Sequence, residues 1–288
     1  MIRTRSNDYL DIGDLDDDPF APPPAPKYVN GWLAMARKPF VRETENQCKR
    51  WRAKAIRLLA RGNAAHKKLA AKLRCCTKSA PCNSEACASC MYVFRSRLFE
   101  QSVNVMPVGG MAVSIITAGI KCELGALGEF NVKKEVRRLQ KRISRSDLLK
   151  DCLILGGLDV SLNRDIGIAP YWQVHVYILI NHEDTKELRA AVHQTFPKEP
   201  SAAKPYRFRD LVDRLEAVGY TYKSRFEQRF HYINEETGNV NLADDDEIPD
   251  CHLPELLMFL DSYPIGERML LRGIRRHGRN LNLKVIAK

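Results

Sequence analysis

A polar pair in an otherwise apolar segment is the feature of this sequence that points most directly to chemistry. Read as a β-strand, residues 172–180 alternate, so that Gln173 and His175 project side by side from one face while apolar side chains fill the other. An amide oxygen and an imidazole at this spacing can hold one hard cation between them. A Tyr-x-x-Lys sequence follows, running from Tyr220 to Lys223. A metal ion, a tyrosine and a lysine together suit cleavage of a nucleic-acid strand by covalent tyrosyl transfer.

A third metal ligand is expected on the preceding strand. Asp159 lies in a strand that we pair with residues 171–180 as an antiparallel hairpin, and across that hairpin it can face the same side as His175. One imidazole among oxygen ligands suits Mg²⁺ or Mn²⁺ better than zinc. Tyr220 would then attack phosphorus, with Tyr222 as the second choice, and Lys223 would hold the phosphate from one helical turn further on. The ordinary structural interpretation is a satisfied histidine and an aspartate that ends a strand.

Five of the nine cysteines lie between residues 75 and 90. Cys82, Cys87 and Cys90 follow the spacing Cys-x4-Cys-x2-Cys, and the adjacent Cys75 and Cys76 precede them. Four thiolates at such short spacings can close a tetrahedral zinc site, with Cys76 as the fourth ligand and Cys75 as its alternative. The competing interpretation is a set of free or buried thiols. We predict a structural zinc ion.

Composition favours a polyanionic partner. The 288 residues carry a net charge of +11 with a pI of about 9.2, and a basic surface of this size is typical of nucleic-acid-binding proteins. No apolar run approaches the roughly 18–20 residues needed to span a bilayer, and the acidic, proline-rich start does not resemble a signal peptide. The sequence therefore predicts a cytoplasmic protein without a membrane partner.

Composition also divides the chain. We predict a disordered acidic and proline-rich tail at 1–27, a basic and cysteine-rich zinc-binding region at 28–105, a nuclease domain at 106–233, and an acidic loop with basic C-terminal helices at 234–288. Residues 44–74 read as one very basic helix, which either contacts phosphates or presents a solvated face.

The remaining elements give an α+β class, an antiparallel sheet covered by helices. Strands are predicted at 111–120, 152–161 and 171–180, and helices at 131–146, 184–196, about 208–224, 253–260 and 265–277. The helix at 131–146 has an apolar stripe of Val132, Val136, Leu139 and Ile143, and the helix at 184–196 is capped by Asn181 or Asp184. Two of these helices are basic and supply candidate nucleic-acid contacts. These candidates are Arg138, Lys141 and Arg142 in the helix at 131–146, and Arg268, Arg272, Arg275 and Arg276 in the helix at 265–277.

The order of these motifs resembles that of the HUH endonucleases, in particular the replication initiators (Rep) and transposase-like proteins of rolling-circle elements. Residues 112–117 are similar to the family's first motif, an apolar strand that ends in threonine. Residues 173–175 are similar to its His-hydrophobic-His motif, with Gln173 where the first histidine is usual. Residues 220–223 match Tyr-x-x-Lys, and Cys87 to Cys90 matches a Cys-x-x-Cys that many members carry. The resemblance covers roughly residues 75–230.

The resemblance implies a ferredoxin-like HUH palm with a central antiparallel sheet and a single catalytic tyrosine. It implies nicking of single-stranded or origin DNA that leaves a 5′-phosphotyrosine and a free 3′-OH, in a prokaryote that carries a plasmid, phage or other mobile element. Asp159 stands where glutamate is usual. The sequence contains no Gly-x4-Gly-Lys-Ser/Thr phosphate loop, so unwinding would come from a host helicase.

Two further functions compete with an active nuclease. Gln173 favours a catalytically degenerate protein that binds and regulates DNA on the same scaffold without cutting it. The cysteine cluster alone is also typical of an RNA-binding zinc-knuckle protein.

Overall fold

The structure is a computed structural model. It describes residues 44–106, 110–116, 121–165, 168–198, 205–210, 217–218, 222, 226–233, 240–242, 246–277 and 282–286. The predicted tail at 1–27 lies outside these residues. Among the described residues, no helix has the length and apolar character needed to cross a membrane.

The basic N-terminal segment folds as two helices rather than the single helix predicted over residues 44–74. Helix α1 spans Glu45–Ala60 and helix α2 spans Ala64–Arg74. The single-helix prediction is wrong because Asn63 adopts an extended conformation and caps α2, its side chain accepting a hydrogen bond from the His66 amide. A third helix, α3, spans Ala88–Val105.

A mixed sheet forms the centre of the described residues. Its main path runs β5–β1–β4–β3–β6–β7, with β2 beside β4, β8 beside β6 and β9 beside β3. Only the β3–β6 pair is parallel. The strands are β1 Met111–Ile115, β2 Lys121–Glu123, β3 Leu153–Arg164, β4 Tyr171–Asn181, β5 Tyr206–Asp210, β6 Glu227–Ile233, β7 Val240–Leu242, β8 Asp246–Glu247 and β9 Met269–Arg272.

Strands β3 and β4 form the predicted antiparallel hairpin. Their register is continuous from the Leu153–Asn181 pair to the Asn163–Tyr171 pair. Trp172, Val174 and Val176 project from the apolar face of β4, as predicted, and join the main hydrophobic core. The opposite face is also buried over much of its length, where Leu155 and Leu179 join a second core.

Helices cover both faces of this sheet. Helix α4 (Val132–Arg145) buries its predicted apolar stripe in the main core, and α5 (Thr185–Thr195) begins at the predicted cap Asp184. Helix α6 (Leu253–Asp261) contributes to the same core. On the other face, α3 packs in the second core together with Tyr222. Six helices and a mixed sheet in the described residues confirm the α+β class; the ferredoxin-like topology stays a prediction.

The basic helix predicted at 265–277 is wrong. The segment predicted as a basic helix at 265–277 forms β9 and β10 (Ile274–His277), and β10 pairs with β11 (Asn282–Val285). Gly273, at φ +67°, interrupts the chain between β9 and β10, and β9 is held by its ladder with β3. The helix predicted at about 208–224 is wrong over residues 208–210, which lie in β5 and pair with β1. Residues 217 and 218 are helical, and most of the remaining positions lie outside the described residues.

Candidate functional site

Four cysteine sulfurs converge at the N-terminal end of α3. The Sγ atoms of Cys76, Cys82, Cys87 and Cys90 all lie within 4.8 Å of one another. The Cys76–Cys90 distance is 3.5 Å, the Cys82–Cys90 distance 3.6 Å and the Cys76–Cys87 distance 3.8 Å. A tetrahedral zinc ion with Zn–S bonds of about 2.3 Å places its sulfurs about 3.8 Å apart. The four cysteines can therefore bind a metal such as zinc.

Local structure explains how this short segment converges. Cys76 follows the end of α2, and the chain turns at Asn83, which has a positive φ of 50°. Cys87 is the N-cap residue of α3 and Cys90 lies in its first turn. Unpaired amides at a helix N-terminus favour negative charge, so this position suits thiolate ligands.

The structure decides between the two adjacent cysteines. Cys75 is the C-cap residue of α2 and is exposed, whereas Cys76 is buried among the other three thiols. Cys76 is therefore the fourth member of the cluster. The remaining cysteines, Cys48, Cys122, Cys152 and Cys251, lie outside it.

The thiols perturb each other strongly. Hydrogen bonds from the thiols of Cys82, Cys87 and Cys90 hold the pKa of Cys76 well below its ordinary value. The interaction with Cys76, together with burial, raises the pKa of Cys87 and of Cys90 well above the ordinary value. The interaction with Cys76 opposes deprotonation of Cys82, but the interactions with Cys87 and Cys90 outweigh it and lower the pKa of Cys82. Deprotonation is thus favoured at two of the four thiols and opposed at the other two, and a bound divalent cation would compensate four thiolates in so small a volume.

A buried arginine holds the backbone that leads from α2 into the cysteine cluster. Arg52 of α1 donates hydrogen bonds to the carbonyl oxygen of Leu73 at 2.7 and 3.0 Å and to that of Cys76 at 2.6 Å. It is only 3% exposed. Its positive charge lies at the C-terminus of α2, where the helix dipole favours a cation, and it holds the backbone of one cluster cysteine directly.

The predicted partners on the sheet do face one another. Asp159 and His175 are directly opposed in the β3–β4 ladder, and Nε2 of His175 lies 3.4 Å from Oδ2 of Asp159. Gln173, two residues along β4, shares this face. Two ligands at right angles around Mg²⁺, each bonded at about 2.1 Å, are about 3.0 Å apart, somewhat closer than these two side chains.

The side chain of Gln173, the third predicted ligand, is held by a hydrogen bond to the backbone of the next residue. The Gln173 side chain is 2% exposed and donates its amide nitrogen to the Val174 carbonyl oxygen at 3.0 Å. Within the described residues, the four cysteines are the group of three or more Cys, His, Asp or Glu side chains with converging ligand atoms. The sheet supplies two such side chains and an amide, so the Mg²⁺ or Mn²⁺ site stays a prediction.

Tyr220 and Lys223 lie outside the described residues, but their neighbour Tyr222 is placed. Tyr222 is buried against Gly157, where an added Cβ would come within 3.2 Å of the tyrosine ring. Its hydroxyl donates a hydrogen bond to Glu85. Burial, followed by the Glu85 carboxylate, raises the pKa of Tyr222 well above its ordinary value. A buried, protonated phenol in this hydrogen bond is a poor nucleophile, which argues against Tyr222 as the attacking tyrosine.

Of the three basic side chains of α4 predicted to contact nucleic acid, one is in an ion pair and one is half-buried. Arg138 forms a two-pronged ion pair with Glu135, at 2.6 and 2.7 Å. Arg142 is half-buried, and burial lowers its pKa. Lys141 is exposed. Of the three, Lys141 is the side chain most accessible to a phosphate.

The prediction that Arg268 contacts phosphates is wrong. It is 1% exposed and forms an ion pair with the buried Glu85, with Nε 2.5 Å from Oε2. Burial alone would lower the pKa of Arg268, but the Glu85 carboxylate outweighs that effect and raises it. The guanidinium is therefore a charged core group that a nucleic acid cannot reach.

The other three C-terminal arginines differ in access. Arg272 donates to the Lys150 carbonyl oxygen at 2.8 Å, and Arg276 donates to the Ile265 carbonyl oxygen at 3.1 Å. Arg275 is exposed on β10. These positions lie on strands rather than along one helix face, so the predicted contiguous basic face does not form.

Sequence reasoning missed a second pair of basic side chains, Arg207 and Arg209. Both are exposed on the edge strand β5. Arg207 is aligned through Ser114 and Tyr177 with Gly157, which places both arginines on the face that carries Asp159 and His175. The alternating Tyr-Arg-Phe-Arg sequence at 206–209 is typical of a β-strand and could have predicted this surface. Its second half was instead predicted as the start of a helix.

The chain matches no family model, no curated protein and no solved structure.

Proposed function

We propose that this protein binds single-stranded or origin DNA and nicks and rejoins it through a phosphotyrosine intermediate on Tyr220. The observation that carries the proposal is the direct opposition of Asp159 and His175, with 3.4 Å between a carboxylate oxygen and an imidazole nitrogen. Tyr222, two residues from Tyr220, packs on Gly157, and Gly157 is two residues from Asp159 on the same strand. Tyr222 therefore lies on the face of the sheet that carries the candidate ligands, which supports the proposal.

Each residue has a distinct task in this reaction. The Tyr220 hydroxyl releases its proton to solvent as its oxygen forms a bond to phosphorus. The bond between phosphorus and the 3′ oxygen breaks, and that oxygen takes up a proton from solvent as the free 3′-OH. Lys223 balances charge on the phosphate oxygens. Asp159, His175 and Gln173 would hold Mg²⁺ or Mn²⁺, which polarises the phosphate when bound. Rejoining is the same exchange in reverse, with a 3′-OH attacking the phosphotyrosine.

The cysteine cluster is assigned a structural zinc ion. Its four sulfurs complete a tetrahedron, whereas a catalytic zinc keeps one position for water or substrate. The cluster also lies at the junction of α2 and α3, away from the Asp159–His175 pair on the sheet. Its role in the proposal is to hold the helical region against the sheet.

Two basic surfaces would carry the DNA strand. Arg50, Arg57 and Arg61 are exposed and lie at intervals of seven and four residues, so they share one face of α1. Arg207 and Arg209 form the second basic surface, on β5. Exposed guanidinium groups that neutralise phosphates give salt-dependent, largely sequence-independent affinity. A host helicase would supply the unwinding.

One observation favours a second candidate, a DNA-binding regulator without nuclease activity. Asp159 and His175 are close enough to form an ordinary ion pair across the strands, and His175 is only 2% exposed. With glutamine in place of a histidine ligand, such a pair can serve the sheet without any cation.

The decisive experiment incubates the full chain with labelled single-stranded oligonucleotides that it binds, in Mn²⁺ or in EDTA, and resolves the products on a denaturing gel. We expect a labelled, SDS-resistant protein band that needs Mn²⁺, disappears in Tyr220→Phe and falls at least about a hundredfold in His175→Ala. His182→Ala, at the end of the same strand, is the matched control and should retain the band. DNA binding without a band in any metal would favour the regulator.

A further inference from the structure

A buried network connects the cysteine cluster to the sheet face. Glu85 lies in the loop between Cys82 and Cys87, and its side chain is completely buried. Its carboxylate accepts hydrogen bonds from Arg268, from the backbone amide of Gly266 at 2.9 Å and from the hydroxyl of Tyr222. We refer to Glu85, Arg268 and Tyr222 as the Glu85 network.

The network reaches the strand that carries the candidate metal ligand. Arg268 donates from Nη1 to the carbonyl oxygen of Leu158 at 2.5 Å, and Leu158 immediately precedes Asp159. The guanidinium also lies over the Tyr222 ring, 4.4 Å from its centroid. Gly157 leaves the room for this arrangement, since a Cβ there would come within 2.9 Å of the Arg268 carbonyl oxygen and 3.2 Å of Tyr222.

The position of Glu85 depends on the cluster. Two cluster cysteines flank Glu85 within five residues of chain, so a metal ion that holds their sulfurs also fixes the backbone that carries the carboxylate. Without the metal, the loop loses the bonds that set its path. Glu85 is then free to leave Arg268 and Tyr222, and these two lose the only carboxylate that the described residues place between them.

We propose that Glu85 and Arg268 are positioning residues, through which metal binding at the cysteine cluster holds Tyr222 against Gly157, on the sheet face that carries Asp159. Loss of the metal would thus release Tyr222 from the sheet and, on the proposed function, slow the reaction at Tyr220, two residues away in the chain, without touching a DNA contact. The proposal rests on the proposed function for its consequence, but the coupling between cluster and tyrosine segment is a physical property of the chain with or without nuclease activity.

The test measures hydrogen exchange in the full chain with and without zinc removal by a chelator. In the wild type, we expect zinc removal to raise exchange in peptides covering residues 215–226 by at least about tenfold, because a segment that loses its buried contacts opens locally. Glu85→Gln should show fast exchange in this segment while it still binds zinc, and chelation should add little. Glu100→Gln, a matched change elsewhere on the α3 side of the sheet, should behave as the wild type.

Tyr222→Phe is a second variant for the same measurement if Glu85→Gln does not fold. It removes one hydrogen bond to Glu85 and keeps the aromatic ring. We expect the same change in exchange at residues 215–226, smaller in size, at unchanged zinc content. Unchanged exchange in this segment after zinc removal from the wild type would overturn the coupling. So would wild-type exchange in both folded variants.

Adduct formation is measured in parallel to keep the two proposals apart. In Tyr222→Phe and Glu85→Gln, we expect the rate of adduct formation at saturating DNA to fall up to about a hundredfold, as for a misplaced reacting group, with DNA affinity within about twofold of the wild type. An equal loss of zinc, DNA binding and rate would mark a merely structural role and overturn the positioning claim. If the wild type forms no adduct, the proposed nuclease function fails, and the exchange measurement still decides the coupling.

Discussion

The cysteine cluster and the Asp159–His175 pair are two candidate metal sites built in opposite ways. The cluster draws four ligands from one stretch of fifteen residues, and all four sulfurs face each other. The sheet pair draws one ligand from each of two strands, and the ladder alone brings them within 3.4 Å. A set that is complete in itself suits a structural ion, whereas an incomplete set leaves room for substrate.

The two sites also depend on metal to different degrees. The cysteine segment joins the main core through Ala86 and Cys87, but in the residues that the structure describes no backbone ladder holds its four thiols together. An ion bound to them would therefore contribute to folding directly. The hairpin is held by its backbone hydrogen bonds and by apolar cores on both faces. Removing metal should therefore disrupt the first site and leave the second intact.

The largest effect is expected from Cys87→Ser. Loss of one of four ligands should abolish binding of the ion, whose apparent contribution in structural zinc sites is about 10–16 kcal/mol. Metal analysis of the purified protein should find zinc in the wild type and none in the variant, with loss of helical signal by circular dichroism. Cys75→Ser is the matched control, because Cys75 is exposed and outside the cluster; equal zinc loss in both variants would refute the assignment of ligands.

Arg52→Met should destabilise the zinc-loaded protein by about 3 kcal/mol, because it leaves the buried carbonyl oxygens of Leu73 and Cys76 without a charged donor. Urea denaturation followed by circular dichroism measures this change. Arg50→Met, on the exposed side of the same helix, should change stability by less than about 0.5 kcal/mol. Equal stability of the two variants would show that Arg52 does not anchor the entry to the cluster.

Gln173→His should strengthen the candidate metal site on the sheet by adding a second imidazole beside Asp159 and His175. An imidazole is a better ligand than an amide for a transition metal, so we expect Mn²⁺ affinity to rise about tenfold, which corresponds to about 1.4 kcal/mol. Electron paramagnetic resonance titration of free Mn²⁺ measures the affinity. Gln140→His, on the exposed surface of α4, should leave the affinity unchanged. No gain over this control would mean that residue 173 does not meet the cation.

The smallest effect concerns Glu100 of α3, the helix that links the two regions. Burial raises the pKa of Glu100 from 4.5 to about 7, against the opposing effect of Arg97. The folded carboxyl therefore keeps its proton at pH values where the unfolded one has lost it. Its contribution to stability is complete below pH 4.5 and is lost as pH rises to about 7.

Thermal denaturation between these pH values tests the assignment. Glu100→Gln should remove part of the decline in stability with rising pH, because the amide does not titrate. Glu129→Gln, an exposed glutamate, should keep the wild-type slope. An identical slope in all three proteins would contradict a raised pKa at Glu100.

The sequence predicted best what local patterns determine. The apolar stripe of α4, the cap of α5 and the alternation of β4 each lie within one element, and all three are confirmed. The cysteine spacing likewise predicted the cluster, because its ligands are close in the chain. The opposition of Asp159 and His175 followed from a hairpin with a short connection, whose register is set by neighbouring strands.

What the sequence could not predict depends on distant contacts. Arg268 has the same local pattern as a surface arginine, and only the fold places it against Glu85, 183 residues earlier. The strands β9 and β5 were assigned to helices because their pairing partners, β3 and β1, lie more than 90 residues away. Glu85 itself was hidden between two cysteines, where it reads as a solvated loop residue.

The most direct test of the central claim is mass spectrometry of the protein–DNA adduct after trypsin digestion. Tyr220 and Tyr222 both lie in the tryptic peptide 215–223, and fragmentation of that peptide separates them. The account predicts a nucleotide attached through phosphate to Tyr220, with Tyr222 unmodified because it is buried against Glu85. Attachment at Tyr222, attachment to another peptide, or an unmodified peptide 215–223 from DNA-bound protein in Mn²⁺ would contradict the account.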